Sequence, residues 1–223
     1  MIDYEGTKIE EKDYKTITSV TKDWGVIGRC EEKPSKDDYD TGYYVKKGKI
    51  VYLALSGYTF NKFPTGITEL TNLRELKLVA NEYKSLPDSL GNLKNLELLN
   101  LGFNRLTKLP NTFRNFENLR YLDISDNHFK SFPEVIFELK NLEILNIEGN
   151  PIPSIPDEIN RLENLRELNI FVTHIIKLPK SILSLKKLRK IKAYMWIEGS
   201  EKVYQELKER NVDLLGFESK NSP

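Results

Sequence analysis

A 23-residue repeat runs through most of this 223-residue chain and constrains its fold more than any other feature. Counting from Ile50 in steps of 23 reaches an apolar residue every time, as far as Leu188. Two more apolar positions, three and five residues after the first, keep the same period, as in Leu96, Leu99 and Leu101. A fixed period of this length indicates structural units stacked in a row, each contacting its neighbours.

The second half of each unit is equally regular. An apolar residue precedes a proline, as in Leu86-Pro87, and two apolar residues spaced three apart follow it, as in Leu90 and Leu93. Alternating apolar residues at the start of a unit predict a short strand with one buried side. The spacing of three after the proline predicts a helical or 3₁₀ turn that packs its apolar side inward.

The full unit reads L-x-x-L-x-L-x-x-N-x-L-x-x-L-P-x-x-I-x-x-L-x-N and resembles the leucine-rich-repeat family, in particular its short stand-alone intracellular members. The resemblance implies an α/β fold: a right-handed solenoid (horseshoe) with a parallel concave sheet and an irregular or 3₁₀ convex side. We place an N-terminal cap at residues 1–49 and seven units, the last atypical, at residues 50–198. A C-terminal capping helix, short strand and tail are expected at residues 199–223.

An asparagine follows four of the predicted strands, at Asn81, Asn104, Asn127 and Asn150. Because an amide side chain carries two donor hydrogens and an acceptor oxygen, stacked asparagines can satisfy backbone groups of adjacent turns. We therefore interpret these residues as a structural ladder. Tyr58, Thr173 and Trp196 interrupt it, which is typical of the terminal units of a solenoid.

The two ends depart from the repeat. Residues 42–51 predict a hairpin with Lys47-Gly48 near its turn, which would cover the first edge of the sheet. Upstream, one side of a predicted helix carries Tyr14, Ile17, Val20 and Trp24, and residues 31–40 are expected to form a loop. At the other end, Ser200 is a candidate N-cap for a helix through Arg210. The repeat count then predicts a last strand near residues 212–217, with Leu214 facing inward, and a frayed tail at residues 220–223.

Composition excludes several classes of protein. The formal net charge of +1 does not favour nucleic acid or a membrane globally, and the single cysteine, Cys30, allows neither an internal disulfide nor a thiolate cluster. The first residues lack the pattern of a signal peptide. No stretch approaches the roughly 18 apolar residues that span a bilayer. We therefore expect a cytoplasmic location.

Residues suited to catalysis or metal binding are few. His128 and His174 lie two units apart, so we expect about 10 Å between them, too far to share a metal. No glycine-rich phosphate loop, zinc-protease motif or serine-hydrolase motif occurs, and Cys30 has no histidine near it in the sequence. We expect no enzymatic activity, no cofactor, no metal and no small-molecule substrate.

Side chains between the inward leucines of each strand should point to the concave side. The candidate partner-binding residues are Tyr52, Glu75, Lys77, Leu98, Asn100, Phe103, Tyr121, Asp123, Ile144, Asn146, Glu167, Asn169, Phe171, Lys190, Lys192 and Tyr194. Among them Leu98, Tyr121 and Ile144 form a predicted apolar stripe on three adjacent strands, with Phe103 beside it. A second apolar cluster, Phe171, Val172, Tyr194 and Met195, either binds a partner or packs beneath the C-terminal cap.

The sequence thus favours a monomeric, non-catalytic scaffold that binds a protein partner on the concave face. The resemblance adds a small GTPase or another signalling protein as an expected partner. The alternative is an electrostatic adaptor for an anionic membrane or nucleic acid. It would act through a basic run that contains no acidic residue: Lys177, Lys180, Lys186, Lys187, Arg189, Lys190 and Lys192.

Overall fold

The computed structural model describes residues 2–4, 7–21, 29–30, 41–57, 62–196 and 200–218, and at 2–4, 7, 21, 194–196 and 217–218 it describes the backbone alone. Four sequence expectations lie outside these residues: the helical position of Trp24, the loop at 31–40, the ladder interruption at Tyr58 and the tail at 220–223. The side chains of Tyr194, Met195 and Trp196 also lie outside them.

A nine-stranded sheet runs the length of the solenoid, in the order β11-β10-β9-β8-β7-β6-β5-β4-β3. Strands β3 and β4 are antiparallel, and every other neighbouring pair is parallel. The strands are β3 (Gly42–Lys46), β4 (Lys49–Ala54), β5 (Glu75–Lys77), β6 (Leu98–Asn100), β7 (Tyr121–Asp123), β8 (Ile144–Asn146), β9 (Glu167–Asn169), β10 (Lys190–Trp196) and β11 (Asp213–Glu218).

The register of the sheet follows the 23-residue count without a slip from β4 to β9. Leu76 pairs with Leu99 and Leu99 with Leu122, each 23 residues further on. Both Leu99 and Leu122 are completely buried. This confirms the predicted inward position, and each such side chain contributes roughly 1.5–3 kcal/mol through burial of apolar surface.

The convex side consists of 3₁₀ helices of five residues, each directly preceded by a proline in extended conformation. They span Thr65–Glu69, Asp88–Asn92, Asn111–Asn115, Glu134–Glu138, Asp157–Arg161 and Lys180–Ser184. In the second of them, the Leu90 N–H donates to the Pro87 carbonyl at 3.1 Å and the Leu93 N–H to the Leu90 carbonyl at 3.1 Å. The predicted turn after each proline is therefore confirmed.

The asparagine ladder ties each turn to the one before it. Asn104 Nδ2 donates to the Leu78 carbonyl at 2.8 Å, while its Oδ1 accepts the Tyr83 N–H at 3.2 Å. Asn127 and Asn150 repeat this arrangement, and Asn81 donates to the Leu55 carbonyl at 2.8 Å. All four are buried, so the structural interpretation of the ladder is confirmed.

A second row of asparagines stabilises the exposed convex side. The Nδ2 atoms of Asn95, Asn118, Asn141 and Asn164 each donate to a backbone carbonyl of the preceding turn, over 2.7–3.1 Å. They occupy the last position of the repeat unit, where the sequence shows the asparagine but not its role. The solenoid is therefore held by side-chain amides on both sides.

In its described residues, the N-terminal cap contains a short hairpin, a helix and the strand β3. Strands β1 (Ile2–Tyr4) and β2 (Thr7–Ile9) form a small antiparallel hairpin that the sequence analysis missed, and α1 (Glu11–Thr21) buries Ile17 and Val20 as predicted. Asp13, also in α1, is buried and accepts the Ile50 N–H at 2.9 Å. The predicted second hairpin is confirmed, because Lys47 and Gly48 form its turn with φ of 51° and 79°.

The C-terminal cap contains α2 (Glu201–Glu209) and β11, which confirms both predicted elements. One detail of the prediction is wrong. Ser200 stands at the N-cap position, but its hydroxyl makes no cap hydrogen bond and instead accepts the Leu178 N–H at 3.0 Å. Ser200 is buried, and its hydroxyl therefore bonds a backbone N–H of the solenoid in place of one in the first turn of α2.

The other end of α2 is held by Arg210, which donates to the Leu183 and Leu185 carbonyls.

Candidate binding surface on the concave sheet

Two rows of side chains cover the concave side of the sheet, since residues on either side of an inward leucine point away from it. In register from β4 to β10, the first row is Tyr52, Glu75, Leu98, Tyr121, Ile144, Glu167 and Lys190. The second row is Ala54, Lys77, Asn100, Asp123, Asn146, Asn169 and Lys192.

The N-terminal half of this surface is buried, which corrects the expectation that the whole face is available. Tyr52 is completely buried and Lys77 is 1% exposed. Lys77 Nζ lies 5.6 Å from the centre of the Tyr52 ring, a cation–π contact that brings the two side chains together. Glu75, Leu98 and Asn100 are each less than a tenth exposed. The expectation that these five residues are accessible to a partner is therefore wrong, and it is also wrong for Asp123 in β7, which is 7% exposed.

The C-terminal half of the surface is open. Tyr121, Ile144, Glu167 and Lys190 of the first row are all partly exposed, and so are the three second-row residues Asn146, Asn169 and Lys192. Together they surround a depression of about 190 Å³. The predicted apolar stripe is thereby reduced to Tyr121 and Ile144, which are paired across β7 and β8.

The asparagine and aspartate side chains of the second row stabilise the turns after the strands, a role that the sequence analysis missed. The Oδ1 atoms of Asn100, Asp123, Asn146 and Asn169 each accept the backbone N–H two residues further on, over 2.8–3.1 Å. Such a local bond holds the chain in its turn after the strand. The recurrence of Asn or Asp at this position every 23 residues was the available signal.

Asp123 is the centre of a hydrogen-bond network beneath the open half. Its Oδ1 accepts from the Ser125 hydroxyl at 2.6 Å, and its Oδ2 accepts from the Tyr121 hydroxyl at 3.2 Å and from Asn146 Nδ2 at 3.0 Å. The carboxylate is buried, and these donors compensate its lost hydration. The hydrogen bond from the Tyr121 hydroxyl also fixes the orientation of the Tyr121 ring before a partner binds.

A second network lies further along, around Glu148. Its Oε2 accepts from Asn169 Nδ2 at 2.6 Å and lies 3.5 Å from Lys192 Nζ. Lys192 Nζ also lies 4.8 Å from the centre of the Phe171 ring. The positive charge of Lys192 is therefore already compensated within the protein.

The second apolar cluster divides. Phe171 is half-buried, and its ring lies beside Gly216 of β11, whereas Val172 is 60% exposed. Packing beneath the cap therefore describes Phe171 and is wrong for Val172. Tyr194 and Met195 lie in β10, and their side chains are outside the described residues.

A left-handed backbone residue follows each strand at the same 23-residue interval: Gly57, Ala80, Phe103, Asp126, Gly149 and Val172. Glycine adopts this conformation without strain, whereas a β-branched valine rarely does. Phe103 and Val172 are nevertheless exposed there, which leaves two large apolar side chains at the rim.

At Asp126, burial and the nearby carboxylates of Glu148 and Asp123 raise the pKa.

The basic run does not form one patch. Lys177, Lys180, Lys186, Lys187 and Arg189 are exposed, but Lys187 Nζ donates to Asn164 on the convex side at 2.7 Å. Lys190 and Lys192, in contrast, project from the concave side. The positive charges are thus distributed over several faces of the last repeat.

Groups that could support catalysis or bind metal are sparse in the described part of the chain. Cys30 is half-buried, and both His128 and His174 are exposed. No cluster of three or more His, Cys, Asp or Glu residues suited to a metal ion occurs among the described residues. Within the same residues, no helix has the length and apolar character needed to cross a membrane.

Comparison with known families agrees with this architecture. A family model for a leucine-rich repeat region matches residues 111–211, and a leucine-rich repeat model matches residues 71–129. The chain is therefore a leucine-rich-repeat protein, of the class whose fold commonly mediates protein–protein interaction. A comparison with curated protein sequences found no match.

Solved structures with a similar fold come from bacteria and plants. A leucine-rich-repeat protein of Leptospira interrogans is 26% identical with a TM-score of 0.62, over 83% of this chain and 45% of that one. An internalin of Listeria monocytogenes is 21% identical with a TM-score of 0.61, over 77% of this chain and 51% of that one. The plant peptide hormone receptor RGFR1, in complex with RGF2, is 24% identical with a TM-score of 0.60, over 85% of this chain and 34% of that one. The chain thus spans about half or less of the length of each.

Proposed function

We propose that this protein is a non-catalytic scaffold that binds a protein partner through the open half of its concave sheet, strands β7 to β10. The observation that carries the proposal is the pair Tyr121 and Ile144, which lie partly exposed on adjacent strands beside a depression of about 190 Å³. Neither side chain faces the core, since the inward positions of these strands belong to Leu122 and Leu145.

The surroundings of this pair suit protein recognition. An aromatic and an aliphatic residue at the centre, bordered by charged and amide side chains, have the arrangement of an interface hot spot. The Asp123 network orients the Tyr121 ring in advance, so less side-chain entropy is lost when a partner binds.

The class of partner is proposed by analogy. The related fold of RGFR1 in complex with RGF2 supports the view that such a solenoid can hold a polypeptide ligand. The repeat is similar to that of short intracellular members of the family, from which we propose a small GTPase or another signalling protein as partner and a cytoplasmic location for the complex.

A single substitution tests the surface. Ile144→Glu places a charge in the depression without touching the core, and we expect it to abolish recovery of the partner in affinity capture from a lysate of the source organism, measured by quantitative mass spectrometry. Ile176→Glu is the matched control, because Ile176 is 76% exposed and lies outside the sheet. A protein captured equally by the wild type and both variants would contradict binding at this surface.

The electrostatic alternative rests on the exposed lysines and arginine of the last repeat. It predicts binding to vesicles containing anionic lipid, or to RNA, that weakens steeply with added salt. The distribution of these charges over several faces favours the protein-binding proposal. Binding to such vesicles or RNA that is lost in Lys186→Glu/Lys187→Glu would reverse that preference.

A further inference from the structure

The open half of the concave surface changes in character from strand to strand. Across β7, β8, β9 and β10 the first row reads Tyr121, Ile144, Glu167 and Lys190, and Asp213 continues it in β11. Two apolar positions are thus followed by an acidic, a basic and an acidic one. The two ends of this surface therefore differ in polarity and charge, whereas the ends of a uniform apolar groove would be alike.

Most charged groups near this surface are already paired. Glu143 forms ion pairs with Arg120 and Arg166 at 2.6 and 3.1 Å, and Lys192 is compensated by Glu148. Glu167 and Lys190 differ. They are neighbours across β9 and β10 and partly exposed, yet neither side chain forms an ion pair with another residue in the described ranges.

We infer that Glu167 and Lys190 recognise the order of the charged residues in an extended segment of the partner protein. This inference rests on the proposed function. The segment inserts an apolar side chain beside Ile144 and Tyr121, places a basic residue against Glu167 and then an acidic residue against Lys190. It therefore crosses the sheet in one direction, from β7 towards β11.

The spacing of the strands agrees with such a segment. Neighbouring strands are about 4.8 Å apart, so Ile144 and Lys190, which are two strands apart, are separated by roughly 10 Å. An extended chain covers that distance in about three residues at roughly 3.3 Å each. An apolar residue, a basic residue and an acidic residue within one short stretch can thus reach all three positions.

Charge pairs at such a surface contribute more to specificity than to affinity, because like charges facing each other are strongly unfavourable. A segment with its two charges reversed would place a carboxylate against Glu167 and an ammonium against Lys190. The two residues therefore exclude the reversed order, while the contacts with Tyr121 and Ile144 supply most of the binding.

Selection from a library of random linear peptides displayed on phage tests the inference, with the full chain as the immobilised target. We expect the wild type to enrich peptides that contain an apolar, a basic and an acidic residue in this order, counted from either end of the peptide. With Glu167→Lys the enriched residue after the apolar one should become acidic, and a wild-type-selected peptide should bind about tenfold more weakly in fluorescence anisotropy. Lys190→Glu should change the acidic preference to a basic one.

Glu163→Lys and Lys180→Glu are the matched controls, because both side chains are exposed and lie outside the concave rows. They should leave the selected sequences unchanged. Two results together would overturn the proposed recognition of charge order and leave the proposed function in place. The first is that Ile144→Glu abolishes peptide binding, and the second is that all four charge variants select peptides with the same charges as the wild type does. Failure to enrich any peptide would overturn the inferred extended segment, and enrichment that Ile144→Glu does not affect would overturn both proposals.

Discussion

Asn127 shows at the residue scale how one buried amide holds two turns of the solenoid together. Its Nδ2 donates to the carbonyls of Leu101, Ile124 and Ser125, and its Oδ1 accepts the Leu106 N–H at 2.8 Å. Replacement by alanine leaves the Leu106 N–H without its acceptor, whereas each of the three carbonyls keeps a second donor. Unmet buried groups cost more than a hydrogen bond contributes, so the change destabilises the fold.

We predict that Asn127→Ala lowers the free energy of unfolding by about 1–3 kcal/mol, measured by urea denaturation. Asn118→Ala is the control, since Asn118 makes one comparable hydrogen bond on the exposed convex side. Its removal lets water replace the amide, and the loss should be smaller. Equal losses for the two variants would show that burial does not govern the strength of the ladder.

The left-handed positions give a prediction of the opposite sign. Val172 holds φ of 52° while 60% exposed, so its backbone strain is not offset by burial of the side chain. We predict that Val172→Asn raises the free energy of unfolding by about 1 kcal/mol, because asparagine tolerates this conformation.

Gly149 lies at the same position of the turn, two repeats after Phe103 and one repeat before Val172. It serves as the counterpart of Val172. A Cβ there would overlap the Asp126 carboxylate, and its φ is 67°. In thermal denaturation we therefore expect Gly149→Ala to lower the melting temperature and Val172→Asn to raise it. A lower melting temperature for Val172→Asn would contradict the assignment of strain to this turn.

At the scale of elements, α1 is joined to the sheet by Asp13, whose carboxylate accepts the Ile50 N–H. Burial raises the pKa of Asp13 from its ordinary 3.8, and the hydrogen bond from Ile50 opposes the rise. A raised pKa in the folded state means that folding favours the protonated acid. The stabilisation linked to it is present below pH 3.8 and is lost as the pH rises through the folded pKa.

We therefore predict that the stability of Asp13→Asn relative to the wild type increases as the pH is raised from 3.8 towards neutrality. The amide oxygen can still accept the Ile50 N–H, and no charge then needs to be buried. Urea denaturation of both proteins across this pH range measures the difference. A difference independent of pH would contradict a raised pKa at Asp13.

On the scale of the whole molecule, the sheet has an antiparallel strand at one end and a strand beside a capping helix at the other. At the first end, the Cys30 N–H donates to the Tyr43 carbonyl at 2.8 Å and so pairs with the outer edge of β3. A covered edge at this end disfavours sheet extension between copies of the protein.

We propose on these grounds that the protein is a monomer. Light scattering after size-exclusion chromatography should give a mass near the 26.0 kDa of one chain, independent of protein concentration. A concentration-dependent dimer would show that one of the edges is available for association.

The open half of the concave face is small for a molecule of this length. Four strands about 4.8 Å apart offer a width of roughly 15 Å, which is less than a typical protein–protein interface covers. Exposed apolar residues at its borders, Phe103 and Leu215, extend the surface. A partner larger than a single segment would have to contact them as well.

The sequence by itself determined the repeat register, the inward leucines, the asparagine ladder, the hairpin before the first repeat and the strand after the last. These features depend on residues 23 apart or on local turns, so the period and the turn residues together place them. Leu99 and Leu122 are buried because no other register would allow each unit to cover its neighbour.

Only the tertiary structure decided which concave residues are available to a partner. Tyr52 and Ile144 occupy the same position of the repeat, and so do Lys77 and Asn146. Tyr52 and Lys77 are nevertheless buried, whereas Ile144 and Asn146 are partly exposed. Periodicity fixes the face to which a side chain points. Its exposure depends on what packs over that face, such as the contact between Lys77 and the Tyr52 ring, and the period does not predict such contacts.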